Sequence, residues 1–111
     1  MSSKSEDGRA VAAAAQLTDR WTLLIVHDLS EGARRFIELE RACAVCPATL
    51  SRRLRTLERE GLVRRRRFAE TPPRVEYELT RRGCALLPVL AAMRRFGETW
   101  LTLRPAESQR T

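Results

Sequence analysis

Apolar residues recur along most of the chain at intervals of three and four, the spacing that places side chains on one face of a helix. The clearest stripe is formed by Leu50, Leu54 and Leu57, in a segment with Pro47 in its first turn and Gly61 just after its end. On this basis, helices are predicted at residues 10–17, 20–30, 36–42, 47–60 and 81–103, the last one capped by Thr80.

In one part of the chain, apolar and polar residues alternate instead. Val75, Tyr77 and Leu79 alternate with two glutamates, which indicates a strand at residues 75–79. We expect this strand to pair with residues 62–68 across a proline-rich loop. An extended piece at residues 33–35 and a tight turn at residues 44–46 precede this hairpin. The order predicts a mainly α fold with a small antiparallel β-wing, the winged helix-turn-helix.

Length and composition fit one domain. The 111 residues are 43% apolar and 32% charged, which is typical of a globular chain. We expect the domain to span residues 10–103, between a flexible leader at residues 1–9 and a tail at residues 104–111.

The excess of basic residues indicates which class of partner the chain binds. The 21 Lys and Arg residues exceed the 14 Asp and Glu residues, so the net charge is +7 and a polyanionic partner is favoured. No run approaches the roughly 20 apolar residues that span a bilayer, and three cysteines do not make a secreted disulfide framework. We therefore expect a cytoplasmic protein with no membrane partner.

Catalytic and cofactor motifs are absent from the sequence. It contains no glycine-rich phosphate loop, no carboxylate pair and no combination of a nucleophile with a base. Four ligands for a zinc ion are not evident either, because only Cys84 and His27 remain beside Cys43 and Cys46. We expect no enzyme activity, no cofactor and no metal site, and we interpret His27 as structural or solvent-facing.

The predicted helix at residues 47–60 has the features of a DNA-recognition helix. Its leucine stripe faces inward, and small or basic residues lie on the other faces. Small residues near the N-terminus permit close approach to the major groove, where arginines contact base edges or phosphates. The candidate contacts on this helix are Ala48, Thr49, Ser51, Arg52, Arg53 and Arg55.

The predicted wing supplies further cations. Four consecutive arginines begin at Arg64, and a strand cannot bury all of them on either face. On a wing they lie along the DNA backbone, with Arg65 and Arg67 as candidate phosphate contacts. Arg74, at the end of the loop, is a candidate for the minor groove.

The last predicted helix is apolar over about half of its circumference, too broad a face for so small a domain to cover. A second copy of the chain is therefore expected to pack there. The candidate interface residues are Val89, Leu90, Met93, Phe96, Gly97 and Trp100. The alternative is a helix folded back onto its own domain.

The chain resembles the HxlR-type winged-helix transcriptional regulators from about Leu17 to Trp100. The resemblance is carried by DRWTLLIVHDLSEGARRFIEL (19–39), ATLSRRLRTLEREGLVRRR (48–66) and, most specifically, TPPRVEYELTRRG (71–83). It implies a homodimer formed by the first and last helices, bound to double-stranded DNA at a palindromic operator. It also implies a phosphate contact by Arg35.

The chain departs from the family pattern at its N-terminus. Many members resemble thiol sensors with a cysteine some residues before the tryptophan matched by Trp21, and here that neighbourhood reads Gly8, Arg9 and Ala10. The usual redox trigger is therefore not carried over, and an unidentified small-molecule effector is left open as a partner.

Two alternative functions remain beside a sequence-specific regulator. A nonspecific architectural nucleic-acid-binding protein would account for the charge alone. A redox-responsive regulator would use Cys43 and Cys46, whose oxidation would constrain the start of the recognition helix. The simpler interpretation is that Cys43 is a small core residue and Cys46 takes the place of a capping serine or threonine.

Overall fold

The computed structural model describes residues 3–101, and within that range it contains six helices and one two-stranded sheet. The elements are α1 Ser3–Leu17, α2 Arg20–Leu29, α3 Phe36–Cys43, α4 Pro47–Arg59, β1 Val63–Phe68, β2 Arg74–Leu79, α5 Arg81–Cys84 and α6 Leu87–Trp100. The predicted mainly α fold with an antiparallel β-wing is confirmed.

The hydrophobic core lies where α2, α3 and α4 meet the hairpin. The predicted stripe of Leu50, Leu54 and Leu57 is fully buried there, together with Ile25 of α2 and Leu39 of α3. Burying each such side chain contributes about 1.5–3 kcal/mol relative to leaving it in water. The outward face of α4 is thereby fixed, because the leucines determine which side of the helix turns inward.

Local signals position the ends of the helices. The Asp19 carboxylate caps α2, since its Oδ1 accepts a hydrogen bond from the Thr22 N–H at 2.8 Å. Pro47 occupies the first turn of α4 after Cys46, as the sequence predicts. Gly61 follows the end of α4 with φ of +77°, a left-handed conformation that glycine adopts without steric cost.

The hairpin is antiparallel, with Val63 opposite Leu79 and Phe68 opposite Arg74. A short third segment joins its outer edge through Arg34. The Arg34 N–H donates to the Tyr77 carbonyl at 2.9 Å, and the Tyr77 N–H donates back at 2.7 Å. The extended piece predicted at residues 33–35 is therefore present as a single bridge, which ties the start of α3 to the wing.

The single long helix predicted at residues 81–103 is wrong in its continuity. The structure breaks it into α5 and α6 at a turn formed by Ala85 and Leu86. Pro88 explains the break, because proline lacks an N–H and clashes with the carbonyl four residues earlier, so it is tolerated only in a helix's first turn. Thr80 caps α5 as predicted, with its Oγ1 accepting from the Gly83 N–H at 3.0 Å.

The N-terminal helix is longer than expected. Residues 3–9, predicted as a flexible leader, are helical in α1, which also contains the alanine run at residues 12–15. The predicted tail at residues 104–111 and the end of the last predicted helix lie outside the described residues. Within residues 3–101, every helix is too short or too polar to cross a membrane.

Candidate nucleic-acid interface

The face of α4 opposite the leucine stripe carries small and basic side chains. Ala48, Arg52 and Arg55 are exposed, and Thr49 and Ser51 are half-buried beside them. The N-terminus of a helix carries a partial positive charge, which adds to that of the arginines toward a phosphate. This face combines small side chains with hydrogen-bond donors, and contacts of these residues with DNA stay a prediction.

Arg53 differs from its neighbours on α4 because it is held by another helix. Its Nη2 lies 2.6 Å from Oδ2 of Asp19, the residue that caps α2. Both side chains are about one-third exposed, at 33% for Arg53 and 30% for Asp19. The ion pair fixes α4 relative to the start of α2. A DNA contact by Arg53 stays a prediction, and it would require the guanidinium to bind DNA as well as Asp19 or to leave Asp19.

The thiols of Cys43 and Cys46 lie in opposite environments. Cys43 is buried in the core, and burial followed by the negative charge of Asp28 raises its pKa. Cys46 is exposed at the N-cap of α4 with its Sγ 3.2 Å from the Thr49 Oγ1, and hydrogen bonds from Thr49 and Ala48 and the charge of Arg52 lower its pKa. The burial of Cys43 agrees with its interpretation as a small core residue.

On one face of the wing, two arginines share a glutamate. Glu78 of β2 pairs with Arg64 and with Arg66 of β1. The hydrogen bond from Arg64 lowers the pKa of the Glu78 carboxyl and keeps it ionised near neutral pH. The Arg66 guanidinium also lies over the Phe68 ring, 5.1 Å from its centroid.

The other face of the wing leaves two arginines unpaired. Arg65 lies opposite Tyr77, and Arg67 lies opposite Val75, so both point away from the glutamates. Both are exposed, and neither forms an ion pair with any residue in the described part of the chain. Of the four consecutive arginines, these two are therefore the ones free to meet an external anion.

Arg74 is held inside the wing. Its guanidinium contacts Glu70 at 2.9 Å and Glu76 at 3.0 Å, and lies 4.1 Å from the centroid of Phe68. The predicted minor-groove contact is not tested by this arrangement and stays a prediction. It would require Arg74 to leave two carboxylates.

Arg35 lies at the start of α3, directly after Arg34, which forms the bridge to the wing. Its backbone N–H donates to the Glu38 carboxylate at 2.7 Å, which caps the helix, and its side chain is exposed. The phosphate contact that the resemblance implies for Arg35 stays a prediction.

The apolar face of α6 is open to solvent in the single chain. Val89 is 48% exposed, Met93 49%, Phe96 58% and Trp100 72%. Leu90 and Gly97, also predicted to lie in an interface, are half-buried. We call the four exposed residues the α6 strip.

Sequence reasoning predicted no ion-pair partner for Asp19 or for Glu78. Their actual partners, Arg53 and Arg64, lie 34 and 14 positions away along the chain. No local signal links such pairs, since the pairing depends on how the elements pack. Among residues 3–101, no three side chains of metal-binding type cluster together.

Comparison with known proteins gives a consistent picture. The family model of the HxlR-like helix-turn-helix matches residues 16–105. A transcriptional regulator of the HTH type from Synechocystis is 42% identical over 92 residues, covering 82% of this chain and 68% of that protein. Another, YvaP of Bacillus subtilis, is 43% identical over 86 residues, covering 77% of this chain and 80% of YvaP.

Solved structures show the same architecture. The reduced form of the redox regulator HypR matches with a TM-score of 0.77 and 32% identity, over 81% of this chain and 91% of HypR. A putative transcriptional regulator of the MarR family from Porphyromonas gingivalis matches with a TM-score of 0.76 and 34% identity, over 82% and 91% of the two chains. With its recognition-type helix and wing, the chain belongs to the HxlR-like helix-turn-helix family.

Proposed function

We propose that two copies of this chain bind one palindromic or pseudopalindromic DNA site, each with α4 in the major groove and the wing on the backbone or minor groove. Membership in the family makes the chain a DNA-binding transcriptional regulator, and the proposal concerns how it binds. We also propose that it has no catalytic activity. We further propose that it acts in the cytoplasm.

The observation that carries the proposal is the position of four exposed arginines on α4 and β1. Arg52 and Arg55 are exposed on α4, and Arg65 and Arg67 are exposed on β1, which begins shortly after α4 ends and packs against it. Neighbouring cations on a helix and a hairpin fit a groove and the phosphates beside it. The glutamates of the wing lie on its other face, where they do not repel the phosphates.

The α6 strip supports the dimer. Four large apolar side chains, each about half exposed or more, form one stripe along α6. A second copy related by a two-fold axis would cover this strip with its own, because the surfaces of such a dimer are identical. A palindromic site then follows from the symmetry of the protein.

The test is the ratio of two affinities. Duplexes that bind the protein are selected from a random library, and their affinity is compared with that for unselected DNA at the same salt concentration. We expect the selected sites to bind about a thousandfold tighter or more. Equal affinity for both would contradict sequence-specific binding and favour the nonspecific architectural protein.

A further inference from the structure

A cavity of about 260 Å³ lies along the seam between α2 and α6, away from the candidate DNA-binding surface. Its lining residues are His27, Ser30, Leu87, Leu90, Ala91 and Arg94. We call it the seam cavity. Nothing in the proposed contacts with DNA uses these residues.

The lining combines apolar side chains with a few polar groups. Leu87, Leu90 and Ala91 supply apolar surface, and His27 and Arg94 carry nitrogen donors. The Ser30 hydroxyl, which donates to the His27 carbonyl at 2.6 Å, adds a third polar group. A few donors around an apolar surface are typical of a small-molecule site, and a guanidinium is suited to binding a carboxylate.

Glu98 is the only acidic group that contacts Arg94 within the described residues. The two side chains are 3.3 Å apart and more than half exposed, at 58% and 53%. An ion pair so open to water contributes little free energy. A carboxylate held in the cavity, partly shielded from solvent, would therefore compete effectively with Glu98 for the guanidinium.

The seam cavity and the α6 strip lie on different faces of α6. The cavity uses positions 87, 90, 91 and 94, and the strip uses positions 89, 93, 96 and 100. At 100° per residue, the centres of these two stripes lie roughly 140° apart around the helix. A second copy whose contacts were confined to the strip would therefore leave the seam cavity accessible.

We propose that the seam cavity binds a small carboxylic acid with an apolar body. The body packs on Leu87, Leu90 and Ala91, and the carboxylate accepts hydrogen bonds from Arg94 and His27. The volume of about 260 Å³ lies just below the range typical of small-molecule sites, which favours a small ligand such as an arylacetic acid.

The location of the cavity connects the ligand to DNA binding. α2 packs on α3, on α4 and on α6. A ligand seated between α2 and α6 would change the angle between the helix-turn-helix and the proposed dimer helix. This regulatory consequence rests on the proposed function, whereas binding of the acid itself does not.

Phenylacetate is the probe, with phenylacetamide as its uncharged match and phenethylammonium as its cationic match. Each is titrated into the full-length protein without DNA, and the methyl signals of Leu87, Leu90 and Ala91 are followed by NMR. We expect phenylacetate to shift these signals with a millimolar Kd and to bind about tenfold tighter than the amide.

Two neighbouring arginines provide matched variants. Arg94→Gln should weaken phenylacetate about tenfold, to the level of the amide, whereas Arg95→Gln should leave its Kd unchanged because Arg95 does not line the cavity. Equal binding of all three probes, or an unchanged Kd in Arg94→Gln, would overturn the proposal. So would the absence of any shift at the three methyl groups.

A separate titration of the selected DNA separates this proposal from the proposed function. A protein that binds phenylacetate at the seam cavity but binds no DNA would retain the ligand site and overturn the DNA-binding account. A protein that binds its selected DNA but not phenylacetate would retain the DNA-binding account and overturn the ligand site.

Discussion

Arg52 and Arg53 are adjacent in sequence, yet their surroundings differ. Arg52 is exposed on the outer face of α4, whereas the Arg53 guanidinium is bound to the Asp19 carboxylate. Because Asp19 also caps α2, this one carboxylate links the start of a core helix to the side of α4. We therefore propose a contact with DNA for Arg52 and a positioning role for Arg53.

Replacing each arginine by alanine should give different results. Arg52→Ala should cost about 1–3 kcal/mol of binding to the selected site if it reads a base, with no change in the free energy of unfolding. Arg53→Ala should lower the free energy of unfolding by up to about 1 kcal/mol, the range of a partly exposed ion pair.

Both quantities are measurable, by DNA titration and by urea denaturation. Asp19→Asn is the matched control for Arg53, since it retains a capping oxygen while removing the charge. If Arg53→Ala weakened DNA binding while Asp19→Asn did not, the positioning role would be ruled out and a direct contact by Arg53 supported.

At the scale of single residues, the sequence predicted which positions face inward but not which cations are engaged. The inward leucines of α4 follow from helical periodicity alone, and they are buried as expected. The pairing of Arg53 with Asp19 or of Arg64 with Glu78 depends on the packing of distant segments, so residue type and spacing do not reveal it.

At the scale of the elements, β1 of the wing places its paired arginines on one face and its unpaired arginines on the other. Alternation sends Arg64 and Arg66 to the face that holds Glu78, and sends Arg65 and Arg67 to the other face. The two faces therefore offer an external phosphate very different charges. The run of arginines is obvious in the sequence, but this division requires the register of the hairpin.

Replacing arginines on the two faces should separate their roles. Arg65→Ala or Arg67→Ala should weaken binding to selected and random DNA alike and reduce the slope of log affinity against log salt by about one. Arg64→Ala is the matched control on the paired face and should change the slope less. A larger loss of slope in Arg64→Ala than in Arg65→Ala would contradict this assignment.

The junction between the wing and α5 depends on Gly83. An added Cβ there would overlap the Leu62 carbonyl oxygen and press on the Leu79 side chain, so the close contact requires glycine. The Thr80 hydroxyl strengthens the same junction by donating to the Gly61 carbonyl at 2.5 Å.

Gly83→Ala should therefore lower the free energy of unfolding by about 1–3 kcal/mol, the cost of overpacking. The matched control is Gly8→Ala on α1, where nothing lies within 4 Å and alanine should raise helix stability by up to about 1 kcal/mol. Thermal or urea unfolding measures both changes. A Gly83→Ala protein as stable as the parent would contradict the tight packing described for this junction.

Prediction of the elements failed mainly at one point, the break before α6. The apolar periodicity continues through the turn at Ala85 and Leu86, which conceals it from a pattern-based prediction. The physical signal was present in Pro88, which a helix accepts only in its first turn. Steric limits of a single residue thus outweighed the periodicity of the segment.

At the scale of the whole molecule, the α6 strip is an apolar surface that the single chain does not cover. Its side chains are exposed, whereas Leu90 turns toward α2 and lines the seam cavity. Within the predicted interface set, Met93 and Phe96 are therefore better targets than Leu90 for separating two copies.

Met93→Glu and Phe96→Glu should dissociate the proposed dimer, because each buries a charge in an apolar contact. Sedimentation velocity at a fixed protein concentration measures the result. Arg95→Glu reverses a charge on the same helix outside the strip and should leave the sedimentation coefficient unchanged. A dimer that persists in both strip variants would contradict this interface.

The central claim, a two-fold dimer that reads DNA with two copies of α4, is tested most directly by hydroxyl-radical footprinting on a selected duplex. The account predicts two protected half-sites of related, inverted sequence, with their centres about 10 base pairs or a multiple of that apart. Protection of a single half-site, or uniform protection without symmetry or sequence preference, would contradict it.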